Sequence, residues 1–219
     1  MEDGGRRVIR GAGADHDRVI TQQPYPAAIV SMTIDPIVVW ARSTAEEMLG
    51  GLVDRWLHVA EVGSRALRIG TALTESDRTA LAAAAYLHDI GYAPSIVVTG
   101  LHQLDGAVWL RAKGIEQRLC NLVAHHSAAR YEAEERGRSA EMEWFELEEG
   151  PVPDLLVFLD MTTGPRGELV SLQHRLDDIL RRYPGSDPVH RATVRAQSSL
   201  AASVQRSRQW LPTGMTYPT

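Results

Sequence analysis

Several residue types are scarce in this 219-residue chain, and each scarcity excludes a class of protein. Cys120 is the only cysteine, so no intrachain disulfide can form, which favours a reducing compartment such as the cytoplasm. Aromatic residues make up only 6% of the chain while alanine is frequent, which favours closely packed helices over a β-sandwich. No apolar run approaches the roughly 18 residues of a membrane span, and the N-terminus has no apolar signal-peptide core. We therefore expect a cytoplasmic protein with no membrane partner.

The charge balance and length narrow the possibilities further. The formal net charge is −5, so nothing favours general nucleic-acid binding. Hydrophobic residues make up 44% of the chain, enough for the core of one domain. We expect a partly disordered N-terminal arm over residues 1–34, a helical core over 35–165, and C-terminal helices over 166–219 that pack on that core. A homodimer is compatible with these features.

Apolar residues recur at spacings of three and four, which predicts an all-α fold. Asp35-Pro36 and Ser43-Thr44 indicate two helix starts, and the second helix is expected to run to about Ile69, with Gly50-Gly51 as a point of kinking or division. Residues 137–150 are acidic and irregular. The other expected helices cover about 78–89, 102–113, 116–136, 152–161, 171–183 and 188–209.

The pair His88-Asp89 is the most informative feature of the sequence, because it ends an Ala-rich helix that is apolar almost all round. A carboxylate buried there costs several kcal/mol unless something pairs with it, and a cation is the simplest partner. An aspartate that caps a neighbouring turn is the alternative. Other residues able to bind a metal lie on both sides: His58, His102, His125, His126 and Asp160. Histidine and carboxylate from several segments suit Zn, Mn or Fe, and open positions on such metals can activate water.

Individual members of this set have alternative interpretations. Asp160 follows five apolar residues at a helix C-terminus, where an acid is disfavoured, so it too requires a partner. His102 could bind a metal with Asp105 orienting its ring, or could be a loop residue. His125 and His126 point about 100° apart on a helix, so one or both could be ligands. The segment Thr162–Arg166 could line the mouth of a site or form a capping turn.

The order His58, His88-Asp89, Asp160 resembles the H…HD…D signature of the HD superfamily, over roughly residues 50 to 165. The resemblance implies a single HD-type helical bundle around a metal site. His102 and His125-His126 resemble the extended pattern of two-metal members, which implies two divalent transition metals. Fe or Mn is expected, and Zn is the alternative. Metal one would take His58, His88, Asp89 and Asp160. Metal two would take Asp89, His102 and His125, with His126 as a further candidate.

The same resemblance implies a phosphohydrolase that cleaves a phosphoester or phosphoanhydride of a nucleotide or small phosphate by metal-bound hydroxide. Asp89 would bridge the metals. Arg55 and Arg130 are the candidates to contact the phosphate oxygens, since arginine forks suit phosphate, and a solvated surface position is the alternative for each. A lysine typical of the cyclic-di-GMP branch is replaced by Tyr92, so that substrate is not expected. An HD-type di-iron oxygenase and a non-catalytic sensor or binding module are the alternatives.

Overall fold

The structure, a computed structural model, describes residues 34–212, so the expected arm over 1–34 lies almost entirely outside the described residues. Within 34–212 the chain forms ten α-helices and no strand, only an isolated bridge between Thr163 and Leu169, which confirms the all-α prediction. The helices are α1 (Pro36–Leu49), α2 (Val53–Ile69), α3 (Glu75–Leu87), α4 (His102–Ala112), α5 (Gln117–His125), α6 (Ala129–Arg136), α7 (Ser139–Met142), α8 (Pro151–Met161), α9 (Leu172–Arg182) and α10 (Pro188–Ser207).

Helix α3 lies at the centre of the core and packs against α1, α2, α5 and α8. Every residue from Leu81 to Leu87 is buried, so α3 has no solvent-facing side in its second half. Its small alanine side chains let the surrounding helices approach closely. The backbone of Gly63 in α2 contacts the ring of Tyr86, and a Cβ atom at this position would clash with that ring. The C-terminal end of α3 therefore delivers His88 and Asp89 into the interior.

Local sequence explains where several helices begin. Asp35 accepts a hydrogen bond from the Ile37 N–H at 2.9 Å, and Pro36 occupies the first helical position. Asp187 and Pro188 repeat this arrangement at the start of α10. Side-chain caps of this kind satisfy backbone N–H groups that have no partner in the first turn.

Two predicted helix boundaries are wrong. Ser43-Thr44 does not start a helix, because α1 continues through it to Leu49, and Gly50-Gly51 divides α1 from α2. The single helix expected over 116–136 is broken into α5 and α6. Ser127, between them, has a left-handed backbone with φ of 54°, which no helix can contain. The acidic segment 137–150 also holds the short helix α7.

The C-terminal helices complete the bundle around α8. Helix α10 packs along α8 and α6, and α9 packs against α10 and α8. A fork of hydrogen bonds from Arg206 of α10 to Asp154 of α8, at 2.6 and 2.8 Å, joins these two helices. Among the described residues, no helix is both long enough and apolar enough to cross a membrane.

Candidate metal centre

Six side chains from five segments converge beneath the ends of α3 and α5, and we refer to them as the His/Asp cluster. Its members are His58 on α2, His88 and Asp89 after α3, His102 at the start of α4, His126 after α5, and Asp160 on α8. All are buried except His102, whose side chain is 12% exposed. Gly91 makes the arrangement possible, because its missing Cβ leaves room for the carbonyl of His102. The turn that carries Asp89 can thus contact the start of α4.

The imidazoles form two pairs. The Nε2 atoms of His58 and His88 are 3.3 Å apart, and the Nε2 atom of His58 lies 3.1 Å from Oδ1 of Asp160. The Nε2 atoms of His102 and His126 are likewise 3.3 Å apart. Donor atoms within 4.8 Å of one another, the spacing that a shared cation requires, occur in two triads: His58, His88, Asp160 and His88, Asp89, His126.

Asp89 lies between the two histidine pairs. Its Oδ2 atom is 3.3 Å from Nε2 of His88 and 3.8 Å from Nε2 of His58. Its Oδ1 atom is 3.2 Å from Nε2 of His102 and 3.8 Å from Nε2 of His126. Each carboxylate oxygen therefore faces a different pair of imidazoles. This is the geometry in which one aspartate can bridge two cations.

Backbone carbonyls fix which ring nitrogen can bind a metal. The Nδ1 atoms of His58, His88 and His126 lie 3.1, 2.8 and 2.7 Å from carbonyl oxygens. A carbonyl can only accept, so each Nδ1 carries the proton and each neutral ring has its lone pair on Nε2. Carbonyl partners of this kind commonly orient histidine ligands.

The lone pairs on the histidine Nε2 atoms and the carboxylate oxygens cannot form hydrogen bonds with one another. These atoms therefore fit a site that holds a cation. Nε2 of His58 and Oδ1 of Asp160 are both acceptors at hydrogen-bond distance, so a proton or a cation must lie between such atoms. Burial lowers the pKa of His88, but Asp89 and Asp160 raise it more, so the net pKa is raised. The position therefore favours positive charge. Neutral imidazoles and carboxylates converging on one point fit a divalent transition metal.

The remaining groups keep the cluster in a metal-binding protonation state. Burial lowers the pKa values of His58 and His102, which favours the neutral rings that metals need. Burial alone would raise the pKa of Asp89, but the charge of Arg55, followed by His88, holds it well below its usual range. Asp89 is therefore ionised at neutral pH.

Arg55 and Tyr92 form one wall of the cluster. Arg55 donates a short hydrogen bond to Oδ2 of Asp89, and its guanidinium lies 3.9 Å from the centre of the Tyr92 ring. That ring stacks on His102 with centroids 4.1 Å apart and planes 20° apart. Burial raises the pKa of Tyr92, so its hydroxyl stays protonated. The wall orients His102, whose ring has one face against Tyr92.

Two residues of the predicted site lie elsewhere. His125 points away from the His/Asp cluster and donates from Nε2 to the carbonyl of Phe145 at 2.8 Å. Arg130 is exposed, and its guanidinium donates to the hydroxyl of Tyr131 at 2.7 Å. The prediction for Arg130 assumes one helix through residues 116–136, whereas the prediction for His125 follows from the resemblance to two-metal family members. The break at Ser127 turns Arg130 away, whereas His125 precedes the break and points toward Phe145.

Of the two alternatives for Thr162–Arg166, the structure has the capping turn, and Asp105 does not have the predicted orienting role. Thr162 and Thr163 form the capping turn of α8, and Thr162 accepts a hydrogen bond from buried Arg65 at 2.8 Å. Arg166 is exposed beside Asp54. Asp105 does not orient His102, because its oxygens accept from the backbone N–H groups of residues 98–100.

Sequence reasoning missed two residues beside Asp160. The hydroxyl of Ser127 donates a short hydrogen bond to Oδ2 of Asp160. Arg175 of α9 is buried, with Nη2 at 3.8 Å from Oδ1 of Asp160. The signal for Arg175 was available, because it follows Leu172 by three residues and precedes Ile179 by four, which places it on the apolar face of α9.

A cleft leads from the cluster toward the C-terminal helices. It encloses about 640 Å³ of space not filled by protein, including the solvent at its mouth. Its base is polar, and its walls combine apolar residues with polar ones such as Gln103, Glu132 and Thr193. The base includes Arg55, Asp89, His102, His126, Asp160 and Arg175; the walls include Met161, Ile179, Val189, Ala192 and Leu200.

Comparison with known families agrees with this geometry. A family model described as the HD domain matches residues 55–160, a span that contains the entire His/Asp cluster. No curated protein and no solved structure matches the chain. The family match stops before α9 and α10.

Proposed function

Residues 55–160 are an HD domain, and from that premise we propose that the protein hydrolyses a phosphoester or phosphoanhydride of a nucleotide or other small phosphate. HD domains imply metal-dependent phosphohydrolase chemistry, and the buried donors of this chain support it. In this proposal His58, His88, Asp89 and Asp160 hold one metal. Asp89, His102 and His126 hold the second.

The observation that carries the proposal is the position of Asp89, with one carboxylate oxygen toward each pair of imidazoles. A single-metal site needs no such bridge. When bound, two divalent cations supply Lewis acidity and lower the pKa of a water molecule, which is what phosphate hydrolysis requires. Iron or manganese suits this mixed nitrogen and oxygen donor set, and zinc is the alternative.

The residues of the chain supply orientation and charge. Arg55 holds Asp89 in place through its hydrogen bond and contributes positive charge at the cleft, where negative charge develops on a phosphoryl group. Ser127 fixes Asp160, and backbone carbonyls fix three of the imidazoles. The apolar walls limit the access of bulk water to the base of the cleft.

Metal analysis and a substrate panel together test the proposal. Protein purified without chelator and loaded anaerobically with iron or manganese should contain about two metals per chain, and Asp89→Ala should contain none because it removes the bridge. Nucleotides, dinucleotides and small phosphomonoesters should include at least one substrate. Hydrolysis in isotopically labelled water should place the label on the phosphate product.

Three results would contradict the proposal in different ways. Saturation at one metal per chain would leave a mononuclear site. Oxygen uptake that depends on reduced iron, with no hydrolysis, would assign the protein to the oxygenases. Metal retention with no turnover of any kind would support a sensor or binding module. His190→Ala is the control, because His190 bonds to the carbonyl of Tyr183 outside the cluster and should change neither metal content nor turnover.

A further inference from the structure

Arg175 of α9 is a buried charge without a hydrogen-bond partner for its side chain. It is 6% exposed, and no nitrogen of its guanidinium donates a hydrogen bond to any residue in 34–212. Its Nε and Nη1 atoms are fully shielded, while the residue as a whole lines the cleft. An arginine in such a place requires an explanation, because buried N–H groups without hydrogen-bond partners are unfavourable.

Both carboxylates near Arg175 are engaged by other groups. Asp160 accepts from Ser127 at one oxygen and faces His58 at the other, leaving Arg175 at 3.8 Å. Asp178 accepts from Arg181 at 3.1 Å and from Arg182 through a short bond. Its distance to Nη1 of Arg175 is 4.0 Å, too long for a hydrogen bond. The protein therefore attracts Arg175 electrostatically without using its donors.

A second side chain in the same cleft also has an unpaired polar atom. Gln103, next to His102 on α4, is 2% exposed, and its Oε1 atom has no partner among the described residues. Exchanging the oxygen and nitrogen of the amide would still leave a buried polar atom unpaired. Native proteins rarely bury such atoms without a ligand or water to satisfy them. Two side chains with such atoms in one cleft, Gln103 and Arg175, indicate that the cleft accommodates a polar ligand.

We propose that Arg175 binds a phosphoryl oxygen of the substrate, so that a helix outside the HD domain supplies the anion-binding residue of the cleft. This proposal rests on the proposed function and replaces the predicted role of Arg130. Among the described guanidiniums that line the cleft, Arg55 is bonded to Asp89 and Arg182 to Asp178, whereas Nη2 of Arg175 donates to none of the described residues. A guanidinium N–H donates a charge-assisted hydrogen bond to a phosphate oxygen.

The position of Arg175 specifies which part of the substrate it binds. Because Nη2 lies 3.8 Å from Asp160, an oxygen held by Arg175 adjoins a candidate metal ligand. The bound oxygen therefore belongs to the phosphoryl group that reacts. Beyond it, Met161, Ile179 and Val189 present apolar surface to the rest of the substrate.

Calorimetric titration of inorganic phosphate into metal-loaded full-length protein tests the proposal. Arg175→Met should raise the Kd for phosphate by about 10-fold or more, since a charged hydrogen-bonded pair is lost. Arg175→Lys retains the charge without the fork and should lie between Met and wild type. The matched control is Arg181→Met on the same helix, where the side chain is 69% exposed; it should bind phosphate within about twofold of wild type. Elemental analysis must show equal metal content in all four proteins.

Thermal unfolding separates binding from a structural role. If Arg175 serves the ligand, phosphate should raise the Tm of the metal-loaded wild type more than it raises the Tm of Arg175→Met. A lower Tm together with unchanged phosphate affinity would overturn the proposal and make Arg175 a packing residue. Failure of the wild type to bind phosphate would also overturn it.

The two proposals can fail separately. Hydrolysis of a panel substrate with the KM and phosphate Kd unchanged in Arg175→Met would remove Arg175 from the site and leave the phosphohydrolase intact. Phosphate binding that depends on Arg175, with no hydrolysis of any substrate, would retain the anion site and remove the proposed reaction.

Discussion

The two ends of α8 carry aspartates that are equally buried and serve different purposes. Asp154 is 7% exposed and Asp160 is 6% exposed. Asp154 receives both hydrogen bonds of the Arg206 fork, which completes its carboxylate. Asp160 instead faces His58, with Ser127 on its other oxygen and Arg175 beyond hydrogen-bond range.

This comparison shows that burial alone does not identify a metal ligand. An arginine fork supplies donors and full charge compensation, so the carboxylate of Asp154 needs nothing more. A neutral imidazole with its lone pair toward Asp160 supplies neither, so that carboxylate still requires a cation. The kind of partner, more than the depth of burial, separates a structural aspartate from a candidate ligand.

The largest effect should separate the two ends of α8 directly. Asp160→Asn should lower metal affinity and reduce turnover at least about 100-fold, because the charge of a candidate ligand is lost and the metal that supplies Lewis acidity is held less tightly. Asp154→Asn is the isosteric control and should retain full metal content and turnover. Elemental analysis and steady-state kinetics on both variants provide the measurement. Metal loss from Asp154→Asn would end the distinction.

The next comparison divides two neighbouring residues in the same way. His126→Ala should empty the second metal position, because His126 lies beside His102 and Asp89. His125 instead forms a hydrogen bond to the carbonyl of Phe145. His125→Ala should therefore retain both metals and lose about 0.5–1.5 kcal/mol of stability with its hydrogen bond. Metal titration and urea unfolding give both readouts. Equal metal loss in the two variants would contradict the assignment.

The central helix and most of the candidate metal ligands could be predicted from the sequence. The Ala-rich run to Leu87 predicted a buried central helix, and the ordered His58, His88-Asp89 and Asp160 indicated the HD domain, both of which are confirmed. The choice of His126 was also available. Leu119, Val123 and His126 recur at spacings of four and three, so His126 continues the buried stripe of α5.

The positions of Ser127 and Arg130 depend on tertiary contacts and could not be predicted from the sequence. Ser127 adopts a left-handed backbone where its hydroxyl reaches Asp160, a residue 33 positions away, and no local signal specifies that contact. Such strain at a site persists only because the surrounding structure fixes it. A single helix over α5 and α6 would place Arg130 about one turn from His126. The break explains why Arg130 reaches the surface instead.

A smaller effect concerns the structural aspartate itself. Asp154→Asn should lower the free energy of unfolding by about 1–3 kcal/mol, since it weakens a charged fork while Arg206, 55% exposed, keeps access to water. Urea unfolding at constant metal concentration measures it. Arg206→Gln should cost more, because it leaves the buried carboxylate uncompensated. The reverse order would mean that the arginine, not the aspartate, bears the desolvation cost.

The smallest effect comes from Asp77, which is more exposed than either aspartate of α8. A hydrogen bond from Arg118 at 2.6 Å, and then one from the Thr74 hydroxyl, lower the pKa of Asp77 in the folded protein. A lowered folded pKa means that this stability is present above the unfolded pKa near 4 and is lost as pH falls through the folded value. Because the pair is solvated, the contribution should be under about 1 kcal/mol.

Comparing wild type with Asp77→Asn from pH 6 to pH 2 isolates that contribution. The wild type should be the more stable protein above pH 4, and the difference should shrink below it, because protonated Asp77 resembles asparagine. A difference that persists unchanged at pH 2 would assign the stabilisation to the cap of α3 rather than to charge. An effect above about 2 kcal/mol would mean that this exposed carboxylate contributes as much to the free energy of unfolding as Asp154 does. The arginine partner, rather than solvent exposure, would then determine the contribution even at the surface.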